Sequence, residues 1–306
     1  MRKSDIPAPA CEEVVRIRMK KLKRAYVEIT NMCNLSCAFC PGTARNPRFM
    51  SIAEFEAVLK RLSDYTKYLY FHVMGEPLLH PELGGFLELS DQYGYRVNIT
   101  TNGALIRDQA DTLDNSKALR QVNFSLHSQE DVVDEAVLVK YLEELFLFTE
   151  RVLARGGVYI SYRLWNLSSA AADKYNAFIV QKLEQYFKPD FSITEALSRS
   201  NRIKLREGLF LNSAEVFQWP SRKADEVGDE GFCLGLRDQV AILVDGTVVP
   251  CCLDSEGTIN LGNIFHKDLK EILEGSRARA LYEGFSGRQA VEELCKKCGY
   301  RARFSI

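Results

Sequence analysis

The sequence predicts an α/β protein: a partial, TIM-like (βα)6 barrel followed by a small C-terminal β-hairpin/helix appendage. Three observations carry this expectation. From residue 24 onward, strand-like apolar runs alternate with segments of helical period, as repeated βα units do. That rhythm breaks between 196 and 232, where charged residues, Trp219-Pro220 and Asp229-Glu230-Gly231 interrupt any long period. Beyond the break, two apolar runs flank Asp245-Gly246, a turn pair matched to strand twist, and the chain closes on a Cys-x2-Cys pair. The expected units are an arm over 1–23, a barrel over 24–195, a connecting segment over 196–232 and a cysteine-bearing unit over 233–306. With 306 residues and 46% hydrophobic content, the chain can bury a core of that size.

Residues 1–10 hold two prolines without an apolar period and read as a loose arm. Cys11 stands outside any spacing and reads as a bystander, and the basic run over 16–24 reads as a solvated face. The first strand is expected over 25–30, with a cysteine-rich loop leaving its C-terminal end. Ser51 then caps a helix through about residue 64, Glu54 completing a capping box. A second strand over 68–73 runs into Met74-Gly75-Glu76-Pro77, and a helix over 81–93 stops at Gly94. A third strand over 95–101 leads to Asn102-Gly103, a short helix over 107–115 and a fourth strand over 121–126. A long helix over 132–154 ends at Gly156-Gly157, and a fifth strand is expected over 158–164. A helix over 170–187 and a short strand over 191–194 complete six units.

In barrels of this kind the chemistry sits on the loops that leave the C-terminal strand ends, because those loops share one rim. The cysteine loop, Gly75-Glu76-Pro77, Asn102-Gly103, Ser125 with His127, and Arg163 with Asn166 all fall there. Cys33, Cys37 and Cys40 follow one another at steps of four and three residues. Three thiolates this close can take three corners of a cubane iron–sulfur cluster and leave the fourth iron open to a ligand. A zinc knuckle would require a fourth protein ligand, which nothing near the loop supplies. The C-x3-C-x2-C pattern, with the aromatic Phe39 before the third cysteine, resembles the signature of the radical S-adenosylmethionine (SAM) enzymes. Their "GGEP" motif is matched by Met74-Gly75-Glu76-Pro77, with methionine in place of the first glycine.

The resemblance, which covers roughly residues 24–195, implies a [4Fe–4S] cluster on Cys33, Cys37 and Cys40 with SAM chelated to its open iron, and a cofactor site that includes Phe39. Glu76 would then accept from the SAM amine, with Gly75 allowing close backbone approach. Arg163 would hold the SAM carboxylate in two bonds. Ser125 falls where family members place a ribose-binding hydroxyl, although an ordinary strand-end serine would look the same. Asn102 reads as loop-shaping. His72, His127 and Trp165 also point toward the rim; core packing explains each as readily as substrate contact or stacking on a planar group.

Cys233, Cys251, Cys295 and Cys298, at separations of 18, 44 and 3 residues, form a second set of four thiols. By themselves they suit zinc as well as an iron–sulfur cluster. Hairpin, helix and terminal Cys-x2-Cys over 233–298 resemble the twitch domain, a shortened form of the SPASM domain, and that resemblance implies an auxiliary [4Fe–4S] cluster. Cys251 rather than Cys252 is the expected ligand: neighbouring residues alternate across a strand end, and Cys251 follows Pro250 where the family places its ligand.

The formal net charge of -1 supplies no global field toward nucleic acid or an anionic membrane. No run is long enough to span a bilayer and no secretory signal is visible, so a cytoplasmic, oxygen-poor setting with reduced thiols is expected. The expected activity is reductive cleavage of SAM to a 5′-deoxyadenosyl radical, supported by an electron donor such as flavodoxin or ferredoxin, and hydrogen abstraction from a small-molecule substrate. The roughly twenty residues before the first strand are too few to fold a peptide-gripping domain. Queuine lyase-type cleavage of a modified base, peptide modification, and a non-catalytic iron–sulfur or zinc protein are the alternatives.

Overall fold

The computed structural model describes residues 21–167 and 172–304; the N-terminal arm, Cys11 and most of the basic run lie outside the described residues. Five parallel strands follow the expected rhythm: β1 (Arg24–Val27), β2 (Tyr68–Tyr70), β3 (Arg96–Thr101), β4 (Leu119–Ser125) and β5 (Tyr159–Leu167). Helices α1 (Ile52–Leu62), α2 (Leu83–Gln92), α3 (Ile106–Asp114) and α4 (Glu135–Arg155) connect them. After α5 (Ala172–Phe187) the chain departs from expectation. Residues 191–194 do not form a strand; Ser192 caps a helix, α6 (Ile193–Arg199), its hydroxyl accepting from the Glu195 N–H. A short β-branched run cannot announce its own secondary structure, and here the cap decides it. The sixth parallel strand comes later, inside the segment expected to be a connection. There β6 (Arg202–Arg206) turns at Gly208, where φ is +77°, into β7 (Leu209–Glu215), which pairs parallel with β5.

The C-terminal unit joins the same sheet. β8 (Gln239–Ile242) lies parallel beside β1, from Arg24↔Gln239 to Val27↔Ile242, and β9 (Thr247–Val249) and β10 (Gly262–Asn263) extend it antiparallel. The strand order is therefore β10-β9-β8-β1-β2-β3-β4-β5-β7-β6. Helices α7 (Leu269–Leu273), α8 (Ser276–Ser286) and α9 (Glu293–Lys296) close the chain.

Period-two alternation gives this curved sheet two chemically different faces. On the convex side Ile99, Val122, Ile160 and Leu209 are register partners, all buried in the main core beneath the helices. One residue along, the concave row reads Tyr26, Tyr70, Asn98, Gln121 and Tyr159. The barrel interior is thus polar and aromatic, and it is available to a ligand.

Ser51 caps α1 as the sequence anticipates, in a full capping box with Glu54, and Glu54 also pairs with Arg48 at 2.7 Å, which anchors the far end of the cysteine loop. Ser51→Ala is expected to cost about 1 kcal/mol in urea unfolding, and Ser51→Gly only a few tenths.

Candidate functional site

The loop carrying Cys33, Cys37 and Cys40 is closed at its base by polar side chains. Thr30 Oγ1 donates to the Arg48 carbonyl at 3.0 Å and accepts from the Met32 N–H, while Asn31 bonds to the Asn46 carbonyl and the Arg48 N–H. Cys40 N–H donates to the Cys37 carbonyl and forms a turn that brings the second and third thiols to one side. Partial burial and the neighbouring thiols Cys33 and Cys40 push the Cys37 thiol up to about 11; Cys33 is raised by burial, by Glu76 and by Cys40. Metal ligation needs the thiolates, so binding at thiols raised in this way would release their protons.

Gly75 and Glu76 are packed directly beneath that loop. Gly75 has φ +77°, and a Cβ there would come within 2.5 Å of the Thr30 carbonyl oxygen. Only glycine allows the approach. The Glu76 N–H donates to the Met32 carbonyl at 2.8 Å, which ties the two loops together. The Glu76 carboxylate, 2% exposed, accepts from Thr101 Oγ1 at 2.7 Å and from the Leu78 and Asn102 N–H groups at 2.9 and 2.7 Å. Burial pushes it up to about 7 against those three donors. Asn102, read from sequence as a loop former, reaches farther: its amide donates to Asn34 Oδ1 at 2.9 Å and lies 3.9 Å from the Cys33 sulfur.

Glu28 was not singled out by the sequence reading. It is fully buried at the end of β1 and receives both guanidinium nitrogens of Arg45 at 2.6 and 2.7 Å. The same carboxylate accepts the Met74 N–H at 3.0 Å and the Val244 N–H at 2.9 Å. Arg45 Nε donates to the Ser255 carbonyl at 2.7 Å. One carboxylate therefore joins the cysteine loop, the Gly75-Glu76 loop and the C-terminal hairpin. Its only sequence signal is a charge inside the strand-like run Ala25-Tyr26-Val27-Glu28-Ile29.

Ser125 and Arg163 are register partners at the ends of β4 and β5. The Arg163 guanidinium stacks 4.7 Å over the Trp165 ring, and burial lowers its pKa to about 10, so it stays charged at neutral pH. Behind it, His72 is held neutral, lowered to about 3 by burial and by the Arg163 charge, and its Nδ1 has no hydrogen-bond partner. His127 is a packing residue. Its Nδ1 sits 3.1 Å from the Arg163 carbonyl, burial lowers it to about 4, and its ring packs 4.7 Å from Phe39. Phe39 thus fastens the cysteine loop to the β4 end.

In the C-terminal unit, Cys233, Cys251, Cys295 and Cys298 lie close enough to raise one another, on top of burial. Cys252 turns the other way, hydrogen-bonded with Tyr26 and packed on the concave face with Tyr70. Among the described residues no three His, Cys, Asp or Glu side chains converge as one ion requires.

Comparison with known proteins agrees with this arrangement. The family model of the Radical SAM superfamily matches residues 27–161, and the SPASM model, an iron-sulfur cluster-binding domain, matches residues 233–299. A Pyrococcus furiosus tungsten-containing aldehyde ferredoxin oxidoreductase cofactor-modifying protein is 31% identical over 93 residues, spanning 29% of this chain and only 26% of that protein. The S-adenosyl-L-methionine-dependent 2-deoxy-scyllo-inosamine dehydrogenase of Niallia circulans is 20% identical over 89% of this chain and 90% of its own length. The fold is shared with the structure of anSMEcpe with bound AdoMet and Kp18Cys peptide, with a TM-score of 0.58 at 17% identity, covering 92% of this chain and 90% of that one.

Replacing Glu28 with alanine strands the Arg45 guanidinium and two backbone N–H groups. Urea unfolding of Glu28→Ala is expected to show a loss of about 3–5 kcal/mol, as for one partner of a buried pair. Lys60→Ala, which removes the exposed Lys60–Glu56 pair, is expected to leave the urea-unfolding midpoint at the wild-type value.

Proposed function

This chain belongs to the radical SAM superfamily and carries a C-terminal SPASM-type iron–sulfur domain, and from that premise we propose that it abstracts hydrogen from a small molecule held in the barrel beneath the rim. The observation that carries the reading is the seating of the three-thiol loop directly on Gly75-Glu76, together with a cavity of about 1100 Å3 on the concave face that extends to Arg163 and Trp165 at the end of β5. Cys33, Cys37 and Cys40 would hold the first cluster. Cys233, Cys251, Cys295 and Cys298 would hold an auxiliary [4Fe–4S] cluster. By strand pairing we extend the barrel unit to Glu215, with the C-terminal unit beginning near Cys233.

The chemistry supplied there by a bound [4Fe–4S] cluster and SAM is one-electron cleavage of the sulfonium, giving methionine and a 5′-deoxyadenosyl radical. The chain's own residues orient and shield it. Glu76 uses three of about four acceptor positions internally and would keep one for the SAM amine. Arg163, braced on Trp165, presents its guanidinium edge to the SAM carboxylate. Ser125, beside Arg163 in register, takes the ribose. Reduction falls to an external donor such as flavodoxin or ferredoxin.

Two features support a small molecule: the relative matched over nearly its whole length is named for dehydrogenation of one, and the cavity is of a size that suits one. A peptide substrate has one observation in its favour, the peptide held by anSMEcpe on a shared fold. Mass spectrometry of ligands carried through purification separates the two, a bound peptide being the outcome that overturns the small-molecule reading.

Anaerobically reconstituted protein given dithionite and SAM is expected to release 5′-deoxyadenosine, and Cys37→Ala to release none; equal output from both would sink the assignment. Iron analysis is expected to give about eight irons per chain in wild type and about four in Cys298→Ala. Because burial raises Glu76 to about 7, its ionised form, the better acceptor for the SAM amine N–H, grows as pH rises. SAM affinity should therefore strengthen from about pH 6 to about pH 8 and become flat and weaker in Glu76→Gln.

A further inference from the structure

The cavity on the concave face has a charge that the whole chain lacks. Four arginines line it, Arg120, Arg163, Arg202 and Arg303, against a single acidic side chain, Glu215, whereas the chain overall has 40 Lys and Arg against 41 Asp and Glu. The ion pairs of the described residues involve other arginines, among them Arg45, Arg48, Arg151, Arg206 and Arg277. Three of the lining arginines, Arg120, Arg202 and Arg303, have no part in the SAM contacts proposed above.

Their placement is specific. Arg120 is the extra residue of a bulge in β4: Leu119 pairs with Val97 and Gln121 with Asn98, so Arg120 has no partner of its own. Bulges re-aim side chains, and this one directs a guanidinium into the cavity. There Arg120 lies over the Tyr159 ring at 5.6 Å, Tyr159 packs against Phe210 at 6.3 Å, and Arg202 stacks over Phe210 at 4.6 Å. The result is a shelf of two aromatic rings flanked by two guanidinium planes. Stacking fixes the guanidinium faces; Arg120 Nη1 donates to Asn98 Oδ1 at 3.0 Å, and the other N–H groups of Arg120 and those of Arg202 are left for a ligand. Arg303 is braced likewise, 4.8 Å over Tyr300 with Nη2 on the Glu215 carbonyl.

We infer that the substrate carries an anionic group, a phosphate or a carboxylate, which docks against Arg120, Arg202 and Arg303 on the open side of the barrel. The rest of the molecule then extends along the cavity toward Arg163 and Trp165 at the rim. This deepens the proposed function and rests on its reading of the barrel mouth. Fixed guanidinium edges suit either oxyanion, because each offers oxygens at matching spacing.

The test is calorimetric titration of the reconstituted, SAM-loaded protein with glycerol 3-phosphate, malonate and glycerol. Saturable binding of at least one anion, and none of glycerol, is expected, and the stronger anion identifies the source of the charge. Arg202→Gln and Arg120→Gln should each weaken that binding about tenfold or more, as loss of a charge-assisted hydrogen bond does. Arg202→Lys, which keeps the charge, should lose less. Wild-type iron content in each variant shows that the fold is intact. Absence of anion binding by wild type, or equal binding by wild type and both glutamine variants, overturns the inference. Release of 5′-deoxyadenosine by wild type is scored separately, so failure of the radical SAM reading and failure of this one are distinguishable.

Discussion

The arrangement of this protein depends on one buried carboxylate. Glu28 sits at the C-terminal end of β1 with no exposure, and four donors from three chain segments converge on it: two from Arg45, and one each from the Met74 and Val244 backbones. Burying a charge is unfavourable unless it is paired and every acceptor position is used, so the site tolerates little displacement of any partner. Arg45 belongs to the cysteine loop, Met74 precedes the glycine beneath that loop, and Val244 belongs to the hairpin of the C-terminal unit. Relative placement of the two thiol sets is thus held by this bidentate pair together with the pairing of β8 on β1.

Around that anchor, the two faces of the sheet divide the labour. The convex face is apolar and packs beneath the helices, giving the rigidity that a short first strand of four residues could not give alone. The concave face carries tyrosines, amides and arginines, and its polar groups largely satisfy one another: Asn98 donates to the Leu69 carbonyl, Asn123 to the Ile99 carbonyl, and Asn212 to Ser161. A lining preorganised in this way requires little reordering when a ligand arrives. Burial also shifts the titrating groups in a useful sense. His72 and His127 are kept neutral, so the positive charge near the rim is concentrated on Arg163.

Both sets of thiols follow the same electrostatic logic from different positions. At the rim the cysteines lie on a partly exposed loop, open to a substrate-sized ligand. In the C-terminal unit the thiols are more buried and held by short turns and α9, a setting that suits a closed site. Pro250-Cys251-Cys252 lies between the two environments, with Cys251 facing the other thiols and Cys252 facing Tyr26 in the barrel.

Much of this was legible in the residues alone. Periodicity determined the first five strands and their helices, because apolar alternation and capping residues such as Ser51 are local properties. The Cys33, Cys37 and Cys40 spacing and Gly75-Glu76 were legible for the same reason: their chemistry is written within a few consecutive positions. Tertiary structure decided what depends on partners distant in the chain. Whether residues 191–194 became strand or helix turned on a cap, and the sixth strand emerged only where β7 found β5. The docking of β8 onto β1 joins positions more than two hundred residues apart and leaves no local trace. Nothing in the sequence reading singled out Glu28, Arg45, Arg120 or Arg202. Their significance arises from burial, from a bulge in register and from stacking across strands, which are properties of three-dimensional proximity and not of sequence order.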